Sequence, residues 1–263
     1  MYKKFVLIVI AIMLSITALA GCAEKPLSPV ELLAKSSENM EMIKSYTMKS
    51  TTTVSGNISV GEENIALNMN LVQDAKCLIN GKNTLLYVKT ASDIMGESSV
   101  TEVYCQGADG IAKMYTNTGS GWSFNTEDAS DVFAALKGIE SDVVDKGEEM
   151  FNGVKSVKLE LSMPEEAMES MLSAMGQSFE GMGDVDFSSL KMYVYVDKDA
   201  KTIIGITCDL NDIMKQVFQA IFAAMVPGVD VETTIEGALL TCEYSGFGKV
   251  EAFTIPDEAL AAE

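Results

Sequence analysis

Turn signals recur through this chain at short intervals, and the stretches between them alternate apolar with polar side chains. Asn80-Gly81, 107–110, 117–121, Asn152-Gly153 and 197–200 are all short and rich in Gly, Asn or Asp. A link of a few residues joins strands that run in opposite directions, whereas a parallel crossover needs about a dozen residues or more. Period-two alternation marks strands with one face buried. Ile65, Leu67, Met69 and Leu71 show it plainly, and Val157, Leu159, Leu161 and Met163 repeat it. Strands are expected over 46–60 (with Gly56-Asn57 as a bend), around 65–71, and at 85–94, 100–106 and 111–117. Further strands are expected at 145–151, 154–163, 190–196, 201–210, 233–244 and 250–255. An antiparallel sheet of about ten or eleven strands cannot stay flat; it must curl.

Helices interrupt the strands at a few places. Ser28-Pro29-Val30-Glu31 is a capping box with proline at the first helical position, and Leu32, Leu33, Ser36, Met40 and Ile43 follow at helical spacing. A short helix is expected over 129–138. Pro164-Glu165-Glu166 opens another that runs to about Phe179, and Asn211 and Asp212 cap a third that Pro227-Gly228 stops. Their natural place is the concave face of the curled sheet. The fold class is thus α+β: a curved antiparallel half-barrel with three or four helices packed inside it.

The N-terminus reads as an address. Lys3 and Lys4 precede an apolar run over 5–20 that ends in Leu19-Ala20-Gly21-Cys22. These residues resemble the lipobox of bacterial lipoproteins, in which the cysteine thiol receives a diacylglycerol and the signal is then cleaved. The alternative is an uncleaved membrane anchor, since the run approaches the length of a span. Lipidation divides the chain into a signal peptide (1–21), a lipidated cysteine with a short tether (22–27) and a single domain (28–263). Six residues reach at most about 20 Å, so the domain would sit close to the lipid surface. The implied location is extracytoplasmic, on the outer face of the plasma membrane in a Gram-positive host.

Charge excludes whole classes of function. The chain carries a net charge of −19 over 263 residues, and its 19 basic residues are all lysine. Without arginine there is no bidentate fork for phosphate or carboxylate, and without histidine there is no His-based triad or His-ligated metal. A strongly negative surface repels a phosphate backbone, so no nucleic-acid partner is expected. No Gly-x-Ser-x-Gly motif occurs, and nothing singles out a carboxylate pair for hydrolysis. The reading is a protein that is not an enzyme and has no cofactor and no metal.

Three features could carry chemistry. Met168, Met171 and Met175 share a face of the second helix, and Met214, Phe218, Ile221, Phe222 and Met225 lie on the third. Two such faces make either a soft lining for a hydrophobic ligand or a methionine-rich core. A copper(I) site is a third reading, disfavoured without a Met-x-Met loop. The second feature is cysteine. Cys77, Cys105, Cys208 and Cys242 are even in number in an oxidising compartment, which allows bridges 208–242 and 77–105; buried thiols are the other reading. The third is the Asp-x-Asp pairs at Asp184/Asp186 and Asp197/Asp199. They lack the ligand framework of a calcium loop, and the second pair reads as a hairpin turn.

The order of these elements resembles the LolA/LppX-type lipoprotein-carrier fold, and within it uncharacterised lipidated relatives from Gram-positive bacteria. The likeness rests on Leu32-Leu33-Ala34-Lys35 leading into Lys44-Ser45-Tyr46, on Phe151-Asn152-Gly153-Val154-Lys155-Ser156-Val157, on Tyr193-Val194-Tyr195-Val196-Asp197 with Lys201 across the turn, and on Ile255-Pro256-Asp257-Glu258-Ala259. The resemblance implies a curved sheet wrapped on helices, with a cavity able to take acyl chains. The functional expectation is a membrane-anchored lipoprotein that binds or presents a lipid-like ligand. Its competitor is a non-catalytic envelope or interaction lipoprotein with a filled core.

Overall fold

A computed structural model describes residues 27–81, 83–108, 111–128, 143–162, 185–187 and 190–263. The expected signal segment, Cys22 and the expected helices at 129–138 and 164–179 lie outside them.

Helix α1 (Pro29–Glu41) starts where its sequence dictates. The Ser28 hydroxyl accepts the Glu31 N–H at 3.3 Å, and the Glu31 carboxylate accepts the Ser28 N–H at 2.8 Å, so both halves of the capping box are made. Leu33 and Met40 are buried on its inward stripe.

Six strands follow in sequence: β1 (Ser45–Val60), β2 (Glu63–Asn80), β3 (Asn83–Ile94), β4 (Glu97–Ala108), β5 (Ile111–Asn117) and β6 (Trp122–Asp128). After residues 129–142 come β7 (Val143–Phe151), β8 (Val154–Leu161), β9 (Lys191–Asp197) and β10 (Ile203–Asp209). Helix α2 (Asn211–Met225), β11 (Val231–Ser245) and the short α3 (Asp257–Leu260) complete the chain. The eleven strands form one antiparallel sheet, curved and not closed, in the order β6-β5-β4-β3-β2-β1-β11-β10-β9-β8-β7. It is two meanders sewn together along one seam, β1 against β11, from Thr47↔Ser245 to Val60↔Val231.

Pairing register fixes which side chains share a face. Val54 and Ile58 of β1, Leu67, Ala75 and Cys77 of β2, Leu240 and Cys242 of β11, and Met192, Val194 and Val196 of β9 all point to the side where α1 and α2 pack. This inner face is sealed over β8, β9, β10, β11 and β1. On β3–β5 it thins to half-buried Leu86, Val88, Val103 and Met114. Gly56 is not a bend. β1 runs straight through it, and the irregularity is a β-bulge at Ser55/Gly56, where Glu236 of β11 is the extra residue.

The expected strand at 250–255 does not form. Both edges of β11 are already occupied, by β1 and β10, so the chain has no free edge beside it. It turns off the sheet at Gly246 and Gly248, both at positive φ, with the Gly248 N–H bonded to Ser45 O at 2.7 Å. The arm then crosses the outer face of the β3–β6 wing. There Tyr87, Tyr104, Tyr115 and Phe124 stand opposite one another across four strands. Phe253 packs on Tyr87 and Tyr104, and Trp122 packs on Tyr104. α3 seats the buried Ala259 against this wing, and Glu263 accepts hydrogen bonds from Tyr115 Oη and from Lys113 Nζ.

Candidate functional site

The β1–β2 hairpin is longer than the sheet around it. On one side β3 stops where Ile94 meets Met69; on the other, β10 stops where Asp209 meets Leu239. Beyond these points β1, β2 and β11 continue alone for about 20 Å as a three-stranded lobe. α2 covers the inner side of that lobe. Its start is tied to β11 by two bonds, Leu210 N–H to Ala238 O at 2.9 Å and Ala238 N–H to Asn211 Oδ1 at 2.6 Å. Asn211 therefore does not cap the helix, as its sequence position suggested, but staples it to the sheet. At the other end Gly228 (φ 86°) turns the chain back, and Asp230 O accepts the Gly61 N–H. A helix of 15 residues rises about 22 Å, close to the length of β11 from Ala238 to Val231, so α2 lies along that strand.

Burial is graded along α2. Ile213, Met214 and Val217 are closed in the core; Phe218, Ile221 and Phe222 are half-buried; Met225 is 69 % exposed. Beneath them the lobe presents Ile58, Leu67 and Val231, all buried, and half-buried Ile65 and Ile235. One polar group stands in this row: Thr233 is 2 % exposed, and its hydroxyl has no hydrogen-bond partner. Among the described residues of the row the only charged side chain is Glu63, at the exposed hairpin tip.

The site residues expected from sequence divide accordingly. Met214, Phe218, Ile221, Phe222 and Met225 are brought together on the inner side of α2, with Met214 belonging to the closed core. Met168, Met171 and Met175 lie outside the described residues. Sequence reasoning did not find Thr233, and the β-bulge explains why. Tyr244, Cys242, Leu240 and Ala238 face inward at even positions, but past the bulge inward residues are odd, at Ile235, Thr233 and Val231. Counting in twos from the C-terminal end of the strand puts Thr233 outside.

Register also decides the cysteines. All four described ones are thiols. Cys77 and Cys105 both face Leu86, from opposite sides of β3. Two strand spacings, about 9.5 Å, keep them beyond disulfide reach, so the 77–105 bridge is ruled out by the strand order. Cys208 and Cys242 lie on neighbouring strands, as expected, but diagonally: Cys242 faces Ile206, and Cys208 faces Leu240. A bridge there would have to draw the strands together. Burial pushes the Cys242 thiol up to about 11 and the Cys208 thiol further, which suppresses thiolate chemistry at both.

The Asp197–Asp199 pair is a turn: Asp197 Oδ1 accepts the N–H groups of Asp199 and Ala200 at 2.8 and 2.9 Å. Asp186 is engaged through its backbone, its N–H donating to Gln216 Oε1 of α2 at 2.9 Å. A shallow open groove of about 260 Å³ marks the step where β3 ends, lined by Val54, Met69 and polar neighbours.

No family model matches the chain, and no curated protein matches it. Solved structures do align with it. LprF from Mycobacterium bovis aligns at 12 % identity, with 88 % of this chain and 97 % of that one covered and a TM-score of 0.47. The lipoprotein LppX from Mycobacterium tuberculosis aligns at 11 % identity over 86 % and 98 %, with a TM-score of 0.46. A DUF1329 family protein from Desulfovibrio piger aligns at 12 % identity over 87 % and 96 %, with a TM-score of 0.34.

Proposed function

We propose that this protein is an extracytoplasmic lipoprotein, tethered through Cys22, that holds a lipid-like ligand between its helices and the concave side of its sheet. The observation that carries the reading is the gradient along α2. A helix serving only as core would close its apolar stripe along its whole length, whereas this one leaves Phe218, Ile221, Phe222 and Met225 open to differing degrees above an apolar strand row. Methionine and phenylalanine side chains there can repack around an occupant. Binding would draw on apolar burial, at about 25 cal/mol per Å² before ordering costs. The anchor in this reading is Cys22, on the strength of Leu19-Ala20-Gly21-Cys22 after the apolar run; among the described residues no helix is long and apolar enough to cross a membrane.

The test is chemical. Residues 23–263, purified and extracted with organic solvent, should release a lipid detectable by mass spectrometry, and an environment-sensitive dye should be displaced saturably by added lipid. A clean extract with no displacement would favour the second reading, a filled envelope lipoprotein, which draws on the sealed half of the sheet around Met192, Val194 and Val196. The anchor is tested separately. Cys22→Ala should move the full-length protein from the membrane to the soluble fraction and abolish labelling by a fatty-acid probe.

A further inference from the structure

We infer that the Thr233 hydroxyl is the polar contact of this site, and that its ligand is a neutral acyl compound whose ester or amide carbonyl accepts the hydroxyl proton. The inference rests on the hydrophobic-ligand reading and narrows it to a chemical class. An unpartnered buried hydroxyl is costly, and native proteins seldom leave one without a role. Thr233 faces Ile58 across the seam, on the inner side of β11, beneath the second half of α2 where the helix is only half closed. Neither backbone nor side chain serves it: the buried hydroxyl has no hydrogen-bond partner within the protein. The surroundings select the ligand. Nothing cationic among the described residues lines the row, and the chain carries a net charge of −19, so a free carboxylate or phosphate would enter uncompensated. A carbonyl oxygen needs only a donor, which a threonine hydroxyl is.

Binding of methyl palmitate and of heptadecane, delivered from cyclodextrin and read by dye displacement, separates the possibilities. Wild-type protein should prefer the ester about five- to tenfold, the worth of one net hydrogen bond. Thr233→Val should erase that preference while keeping hydrocarbon binding, and Thr233→Ser should retain it. Because the hydroxyl has no partner within the protein, Thr233→Val should also melt at or above the wild-type temperature. A preference that survives Thr233→Val, equal binding of ester and hydrocarbon by the wild type, or a lowered melting temperature overturns the carbonyl assignment and leaves hydrophobic binding standing. Wild-type protein that takes up neither compound overturns both.

Discussion

Gly205 has no side chain because Phe151 occupies the place of one. A Cβ there would sit 2.2 Å from Phe151 Cε1, and Phe151 is in turn stacked on Tyr195 at 4.1 Å between ring centroids. The contact bridges β7 to β9 and β10 over the buried Ser156 of β8. Gly205→Ala should therefore destabilise the protein by about 1–3 kcal/mol in urea unfolding, and combining it with Phe151→Ala should cost less than the two changes summed. Sequence offered no hint of this pair, since a glycine in a strand records a close approach without naming its partner. The cysteines teach the same lesson. Their number and compartment could be read, but whether two face one another depends on which strand lies between them.

Elements announced by local chemistry were legible. The capping box at Ser28 needs only four residues, and it stands as read; Ser28→Ala should cost about 1 kcal/mol in urea unfolding. The hairpins at Asn80-Gly81 and Asn152-Gly153 were equally plain. What could not be read was the fate of 246–263, because apolar alternation does not say whether a sheet edge is free. The arm is held at its far end by Glu263, whose carboxyl lies below the ordinary carboxylate range because the Tyr115 hydroxyl and Lys113 both donate to it. A carboxylate depressed in the folded state contributes fully above its unfolded value, near 4.5, and the contribution is lost as pH falls through the folded one. Acidification below that range should loosen the arm, and Glu263→Gln should remove the acid-dependent step. Trp122, the only tryptophan, reports it, since it packs on the same Tyr104 that Phe253 covers. At the alkaline end, burial and the bond to Glu263 raise Tyr115 to about 12, so its share persists to pH 10 and declines towards 12.

At the scale of the whole molecule, the antiparallel curved sheet was legible because nearly every pairing is between neighbours in sequence; the strand total agrees only because β6, which was not expected, offsets the strand at 250–255 that does not form. The exception is the seam, where β1 meets β11 across almost the whole chain. Gly56 lies at its bulge, and a Cβ there would stand 2.2 Å from the backbone oxygen of Thr234, which cannot step aside. Gly56→Ala should cost on the order of 3 kcal/mol, and hydrogen exchange should show the loss at the seam while each meander keeps its own ladder. In the wild type the β8–β1 half should exchange slowest and the β3–β6 wing sooner, following where the inner face is sealed. The outermost strands, β6 and β7, are not hydrogen-bonded to each other. Like a book bound along one spine, the sheet can open or narrow its angle without breaking a ladder bond, so the ligand proposed above would be met by a change of girth and not of register.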